Sequence, residues 1–180
     1  MTEPGVEVTR RDGRKADVLR DVEIVAGWLP AVPGSALVQQ GRTWVLCTCA
    51  LEERVPAWRR GSGAGWLTAS YAMLPASGGE RKARERSSPG GRTMEIERLV
   101  GRSLRAAIDL PAIPEWTLHV DCDVLQADGG TRTAAITGGW VALALAIRHL
   151  SENGRLPAAA LVRQIAAVGA GMVDGSPLLD

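Results

Sequence analysis

Two short segments place glycine, threonine and arginine directly before stretches with helical periodicity. They are GGRT at residues 90–93 and GGTRT at residues 129–133. Glycine allows a sharp turn, and a helix start presents unpaired N–H groups with about half a positive charge. A neighbouring arginine adds planar, bidentate donors. Each segment alone is also typical of a structural turn, but their recurrence predicts one shared phosphate site.

Other common chemistries have no matching motif. The sequence contains no G-x-x-x-x-G-K-[ST] segment, no G-x-G-x-x-G segment with an acid downstream, and no G-x-S-x-G segment. Its three cysteines, Cys47, Cys49 and Cys122, lack zinc-ligand spacing, and on strands they are expected to be small buried groups. These observations argue against a P-loop nucleotidase, a dinucleotide enzyme, a serine hydrolase and a zinc protein.

Composition and charge favour a soluble globular protein. The 180 residues are 46% hydrophobic and 23% charged, with a net charge of +1, so attraction to a nucleic acid requires a local basic patch. We expect a single domain over residues 1–180. The N-terminus lacks a signal-peptide core, and we identify no apolar stretch of membrane-spanning length. The sequence therefore predicts a cytoplasmic protein without membrane association.

The first half of the chain has the pattern of β-strands. Residues 20–29 and 65–74 alternate, and residues 34–51 form two β-rich runs joined near Gln40 and Gly41. A helix is predicted after Thr93, which is a plausible N-cap, with Pro111 and Pro114 beyond its end.

The second half combines a strand, a long helix and a hairpin. Residues 116–126 alternate between an apolar face and a polar face that contains Asp121 and Asp123. A helix is predicted over about residues 133–153, and its stretch WVALALAI is apolar on all sides, which predicts a buried central helix. A turn at Asp174 and Gly175 then predicts a hairpin whose return strand reaches Asp180, and we expect further C-terminal sequence beyond it.

A basic, glycine-rich segment over residues 75–91 lacks any run that could bury a face. Loops of this length are typically functional or mobile, so we expect a mobile basic loop that contacts an anionic polymer. A solvated charge run is the alternative interpretation. The candidate residues for this contact are Arg81, Lys82, Arg84 and Arg86.

Several stretches, in order along nearly the whole chain, resemble the ribonuclease PH family of phosphate-dependent exoribonucleases. They are RDGRKADVLR, GSALVQQGRTWVLCT, EERVP, GSGAGWLTASYAMLP, GGRTMEIERLVGRSLRAAIDL, DCDVLQADGGTRTAAITG and AAVGAGMVDG. The resemblance implies the α+β class, with a β-α repeat fold in which mixed sheets pack with helices. It also implies assembly as a homohexamer, a trimer of dimers.

The resemblance further implies the reaction. Inorganic phosphate, the co-substrate, attacks the last phosphodiester of tRNA precursors and other RNA 3′ ends and releases a nucleoside diphosphate. Mg²⁺ is expected to stabilise the leaving 3′ oxygen. The family's phosphate-binding residues fall on Arg92, Gly130, Thr131 and Arg132.

The sequence departs from the family at Ser70, where a glutamate is usual, and the basic loop matches the family's tRNA-contacting loop only in character. The family's metal-binding acids are expected after the final hairpin, so we assign no metal ligands within residues 1–180. Asp128 is expected to support its turn by accepting bonds from backbone N–H groups. Two alternatives stay open: a catalytically silent RNA-binding or ring-forming subunit, and a general phosphate or nucleotide binder.

Overall fold

A five-stranded mixed sheet organises the chain in the computed structural model, which describes residues 10, 12–84 and 89–180. Its strands lie in the order β1-β2-β3-β5-β4. All neighbours are antiparallel except β4 and β5, which run parallel. The strands are β1 (Val22–Ala26), β2 (Gly34–Gln40), β3 (Thr43–Glu52), β4 (Trp66–Met73) and β5 (Thr117–Gln126).

Two helices cover one face of this sheet, which confirms the predicted α+β class. Helix α1 (Gly91–Arg105) packs mainly against β4, and α2 (Thr131–Glu152) packs against β2, β3 and β5. The predicted alternation of β5 is confirmed, because Leu118, Val120 and Cys122 are buried under the helices. All three cysteines are free and buried, as the sequence predicts.

Small residues let α2 lie directly on the sheet. A Cβ at Gly138 would come within 2.6 Å of a Val38 methyl and 2.8 Å of the Cys47 sulfur. A Cβ at Gly34 would overlap the Ala142 carbonyl oxygen. Any larger side chain at these positions would push the helix off the sheet, and the displacement would open voids in the core. The spacing of α2 above the strands, and hence the position of its N-terminus, depends on these glycines.

Both helices begin earlier than the sequence pattern predicts. Helix α1 starts at Gly91 with Gly90 as its N-cap, so the prediction of Thr93 as N-cap is wrong. Helix α2 starts at Thr131, because Gly130 adopts a left-handed conformation with φ of 67° and turns the chain directly into the helix. The glycine segments therefore provide the caps, and the threonines lie inside the helices.

Helix α2 is the predicted central helix, with many buried residues along its length. By length and composition alone it would suffice to cross a membrane, so the expectation that no such stretch exists is wrong. More than half of its apolar window is buried inside the protein. Its apolar character is thus accounted for by packing in the core.

A separate two-stranded sheet confirms the predicted final hairpin. Strands β6 (Ala170–Val173) and β7 (Ser176–Leu179) are antiparallel and joined at Asp174 and Gly175, which have φ of 47° and 77°. Positive φ at both turn residues suits the right-handed twist of the strands. The Leu179 amide donates to the Ala16 carbonyl at 2.8 Å, which connects the hairpin to the N-terminal segment.

Candidate active site

The Tyr71 hydroxyl lies between the two helix starts that the sequence singles out. Strand β4 buries this side chain, and its hydroxyl donates to Thr131 Oγ1 at 2.9 Å. Burial raises the pKa of Tyr71, while the positive charges of Arg92 and Arg132 act in the opposite direction. Both guanidinium groups therefore lie near one hydroxyl. Because Thr131 Oγ1 accepts this bond, its own hydroxyl hydrogen remains to be donated.

A second contact connects the two helices directly. Arg132 on α2 donates to the Glu95 carboxylate on α1 at 2.6 Å. The Arg132 hydrogen bond is the main cause of a lowered pKa of Glu95, and the charge of Arg92 contributes to the lowering. Arg92 itself is exposed. The Arg132–Glu95 pair thus joins the starts of the two helices, and the charge of Arg92 acts on both Tyr71 and Glu95 there.

The loop before α2 is held by the sheet below it. Thr43 Oγ1 donates to the Gly129 carbonyl at 2.5 Å and accepts from the Asp128 amide at 2.9 Å. The Gly130 carbonyl accepts from Thr133 Oγ1 at 2.8 Å and from the Ala134 amide at 3.0 Å. These bonds occupy the carbonyl groups of both glycines. The first N–H groups of α2, which have no partner within a helix, are left to bind an anion.

Asp128 has a different role from the expected one. Both carboxylate oxygens pair with the exposed Arg42, at 3.1 and 3.3 Å. Within residues 10, 12–84 and 89–180, no backbone N–H donates to this carboxylate, and the β2–β3 turn places Arg42 beside it. Arg20 also donates to the Asp128 carbonyl at 2.6 Å. Asp128 therefore anchors the loop to two other parts of the chain.

An acid that the sequence did not indicate lies beside Gly130. A Cβ at Gly130 would be 2.9 Å from Arg20 Nη2 and 3.7 Å from Asp180 Oδ1. Arg20 donates to both Asp180 oxygens, through Nη2 at 2.6 Å and Nε at 2.9 Å. These bonds hold the pKa of Asp180 well below its usual range although partial burial acts to raise it. Arg20 and Asp180 are 160 positions apart, so only the fold identifies them as a pair.

The basic loop begins close to the strand that leads into α2. The Ala127 amide donates to the Ser77 carbonyl at 2.8 Å, and the Lys82 amide donates to the Pro75 carbonyl at 2.8 Å. Arg81, Lys82 and Arg84 are exposed, whereas Arg86 lies outside the described residues. The charge of Arg84 lowers the pKa of Asp123, although burial and the nearby Asp121 give that carboxyl a raised pKa overall. Arg84 is therefore near the outer face of β5.

The polar face of β5 is only partly exposed. Asp121 accepts a short hydrogen bond from Ser70 on β4, at the position where the sequence departs from the family pattern. His119 pairs with Glu52 at 3.1 Å. Among residues 10, 12–84 and 89–180, no three His, Cys, Asp or Glu side chains form a group that could hold a metal ion.

Comparisons with known proteins agree with one another. Residues 18–148 match the model of a family described as the 3′ exoribonuclease family, domain 1. Ribonuclease PH of Corynebacterium efficiens is 56% identical over 175 residues, which cover 96% of this chain and 71% of that protein. Ribonuclease PH of Saccharopolyspora erythraea is 58% identical over 176 residues, which cover 96% of this chain and 70% of that protein.

Solved structures show the same fold at lower sequence identity. Rice (Oryza sativa) Rrp46 has a TM-score of 0.75 at 24% identity, covering 95% of this chain and 72% of that chain. The Archaeoglobus fulgidus exosome with RNA bound to the active site has a TM-score of 0.72 at 26% identity, and the match covers 95% of this chain and 70% of that chain.

Proposed function

Because the chain belongs to the 3′ exoribonuclease family, with ribonuclease PH among its relatives, we propose that it is a phosphorolytic 3′-to-5′ exoribonuclease acting on tRNA. One observation carries the assignment of its site. The Tyr71 hydroxyl bonds Thr131 at the start of α2, and the charges of Arg92 at the start of α1 and of Arg132 both act on it. We propose that inorganic phosphate binds there, with Gly130 supplying the turn that exposes the first N–H groups of α2.

The proposed reaction is a displacement at phosphorus. A phosphate oxygen forms a bond to the phosphorus of the last phosphodiester, and the bond from that phosphorus to the 3′ oxygen of the preceding nucleotide breaks. The products are a nucleoside diphosphate and an RNA with one nucleotide fewer, whose new 3′ oxygen takes up a proton. Two anions must approach each other, so charge neutralisation and alignment contribute most to the rate.

The side chains divide this work. Arg92 and Arg132 neutralise the phosphate, and bidentate donation from a guanidinium fixes its orientation. The Thr131 hydroxyl donates a further hydrogen bond to a phosphate oxygen, because its own oxygen already accepts the hydrogen bond from Tyr71. Glu95 holds Arg132 in place through an ion pair at 2.6 Å. The group as a whole supports an in-line attack by a fixed phosphate.

The family resemblance also implies Mg²⁺, and the described acids do not form a set that fits it. Asp121 is bonded to Ser70, and Asp180 is engaged on both oxygens by Arg20. No group of three candidate ligands comes together among the described residues. The roles given to the arginines and Thr131 above do not depend on a metal ion.

We propose that the exposed basic loop binds the body of the RNA, in a cytoplasmic homohexamer that trims tRNA precursors. Arg81, Lys82 and Arg84 are exposed, and their loop is bonded to the end of β5 close to the phosphate site. Changing these three to glutamine is expected to weaken RNA binding. The slope of the logarithm of the binding constant against the logarithm of the salt concentration should become less steep by about 0.7 for each phosphate contact that is lost. An unchanged salt slope would identify the loop as a solvated charge run.

The proposed function is tested with a tRNA that carries a 3′ extension. The full chain is incubated with this RNA with and without inorganic phosphate, and the released nucleotides are separated by chromatography. Nucleoside diphosphates that form only with phosphate are the expected result. Release of nucleoside monophosphates, or release that is independent of phosphate, would refute phosphorolysis. RNA binding without any release would favour the silent subunit, and phosphate binding without RNA binding would favour the general phosphate binder.

A further inference from the structure

A cavity of about 350 Å³ lies at the opposite end of β4 from the phosphate site. It is formed where β3 ends and β4 begins, beside the short 3-10 turn Ala57–Arg59. Strand β4 runs from Trp66 at the cavity to Tyr71 at the phosphate site, which separates the two sites by roughly 17 Å. The cavity is therefore distinct from the phosphate site, and its volume is within the range of ligand pockets.

Tryptophan and arginine dominate the surroundings of this cavity. Trp58 and Trp66 meet edge to face with ring centroids 4.8 Å apart. The guanidinium groups of Arg105 and Arg59 lie over the Trp66 ring, at 4.7 and 5.7 Å from its centroid. Trp66 is thus held rigidly and already covered by cations, so it serves as a support for its neighbour Trp58.

Trp58 presents an open aromatic surface. It is 65% exposed, although exposing a large ring to water is unfavourable and the chain contains only six tryptophans, one tyrosine and no phenylalanine. Its edge-to-face contact with Trp66 favours one orientation of the ring and leaves most of its surface accessible. A fixed, exposed ring of this kind is what a stacking partner requires.

Two arginines and one glutamate, Glu52, contribute formal charges to the lining of this cavity, in a chain whose net charge is only +1. Arg54 and Arg60 line the cavity, and both are exposed. The Glu52 carboxylate contacts two of the lining side chains. One oxygen lies 2.5 Å from Arg54 Nε, and the other lies 3.1 Å from His119 Nε2. The cavity thus combines an aromatic ring, cations suited to phosphates, and the hydrogen-bonding ring of His119 on its wall.

From this arrangement we infer that the cavity at Trp58 is a second RNA-binding site, which takes a single-stranded nucleotide with its base stacked on Trp58 and its phosphates near Arg54 and Arg60. This inference rests on the proposed function for the presence of an RNA substrate. Stacking on an aromatic ring accepts any base, so the site binds without sequence preference. It adds affinity for RNA that extends well upstream of the 3′ end.

The test is the affinity of the full chain for a fluorescently labelled 20-nucleotide oligouridylate, measured by anisotropy without phosphate. W58A is expected to weaken binding about fivefold or more, while W58F keeps a stacking ring and loses less than about threefold. Trp28→Ala is the matched control, because Trp28 is another exposed tryptophan and lies outside this cavity. Arg60→Gln is expected to reduce, by about 0.7, the slope of the logarithm of the RNA-binding constant against the logarithm of the salt concentration.

Two outcomes would overturn the inference: equal losses for W58A and W28A, and no loss for W58A. If W58A keeps its RNA affinity but changes the oligomeric state measured by light scattering, Trp58 is identified as part of a protein interface. In a turnover assay, W58A should raise the KM for RNA and leave the KM for phosphate unchanged. Binding is measured without phosphate, so the Trp58 site can be confirmed even if the protein releases no nucleoside diphosphates. Equally, phosphate-dependent release can be confirmed even if W58A binds RNA normally.

Discussion

Replacing Arg132 with alanine is expected to weaken the use of phosphate far more than the binding of RNA. Arg132 lies at the second position of α2, where its guanidinium adds to the charge of the helix start. It also neutralises Glu95 through the ion pair at 2.6 Å. The substitution therefore removes one cation and at the same time leaves an unpaired carboxylate facing the site.

The size of the effect follows from the geometry. Hydrogen bonds to charged groups contribute about 1.5–3 kcal/mol. The Arg132 side chain is 38% exposed, so solvent screening favours the lower end of that range. About 1.5 kcal/mol corresponds to a roughly tenfold rise in the KM for phosphate. Repulsion from the freed Glu95 carboxylate adds to it, and R132A combined with E95Q should therefore show a smaller rise than R132A alone.

The assay measures nucleoside diphosphate release from extended tRNA over a range of phosphate concentrations, with RNA affinity measured separately by anisotropy. Arg148→Ala is the matched control, because Arg148 is on the same helix and is also near a glutamate, Glu152, at 3.8 Å. The control should leave the KM for phosphate unchanged. A normal KM for phosphate in R132A, or an RNA affinity that collapses while the phosphate dependence stays intact, would refute the assignment of Arg132.

Three further substitutions test the supports of the site. Tyr71→Phe leaves the buried Thr131 hydroxyl without its donor and should cost about 1 kcal/mol of unfolding free energy in urea, with a raised KM for phosphate; an unchanged KM would remove Thr131 from the site. Gly130→Ala places a Cβ at φ of 67° and 2.9 Å from Arg20, so a loss of about 1–2 kcal/mol is expected, and a thermal scan showing no destabilisation would contradict the conformational argument. Because Arg20 lowers the folded-state pKa of Asp180, this pair stabilises the fold above about pH 4 and the contribution is lost as the pH falls. Arg20→Gln should therefore be less stable at pH 5 and lose less stability between pH 5 and pH 3, whereas an equal loss in both proteins would show that the pair is not the cause.

Local patterns in the sequence were sufficient for most of the fold. The alternation that predicts β5 depends on side chains pointing to opposite faces of a strand, and the stretch WVALALAI, apolar on all sides, predicts a central helix. The turn at Asp174 and Gly175 follows from the residues themselves, since both must adopt positive φ. Helix boundaries were less accurate, because threonine and glycine can both precede a helix and the choice depends on how the preceding strand delivers the chain.

The sequence by itself determined the two glycine-rich helix starts and their arginines, because turn chemistry and helix ends depend on neighbouring residues. It also determined the family, because the matching motifs extend along nearly the whole chain. Only the tertiary structure decided that the two starts meet at Tyr71, that Glu95 holds Arg132, and that Arg20 holds Asp180 beside Gly130. These contacts join residues 37 to 160 positions apart. Such distances are set by the pairing of strands and the packing of helices, which no local pattern encodes.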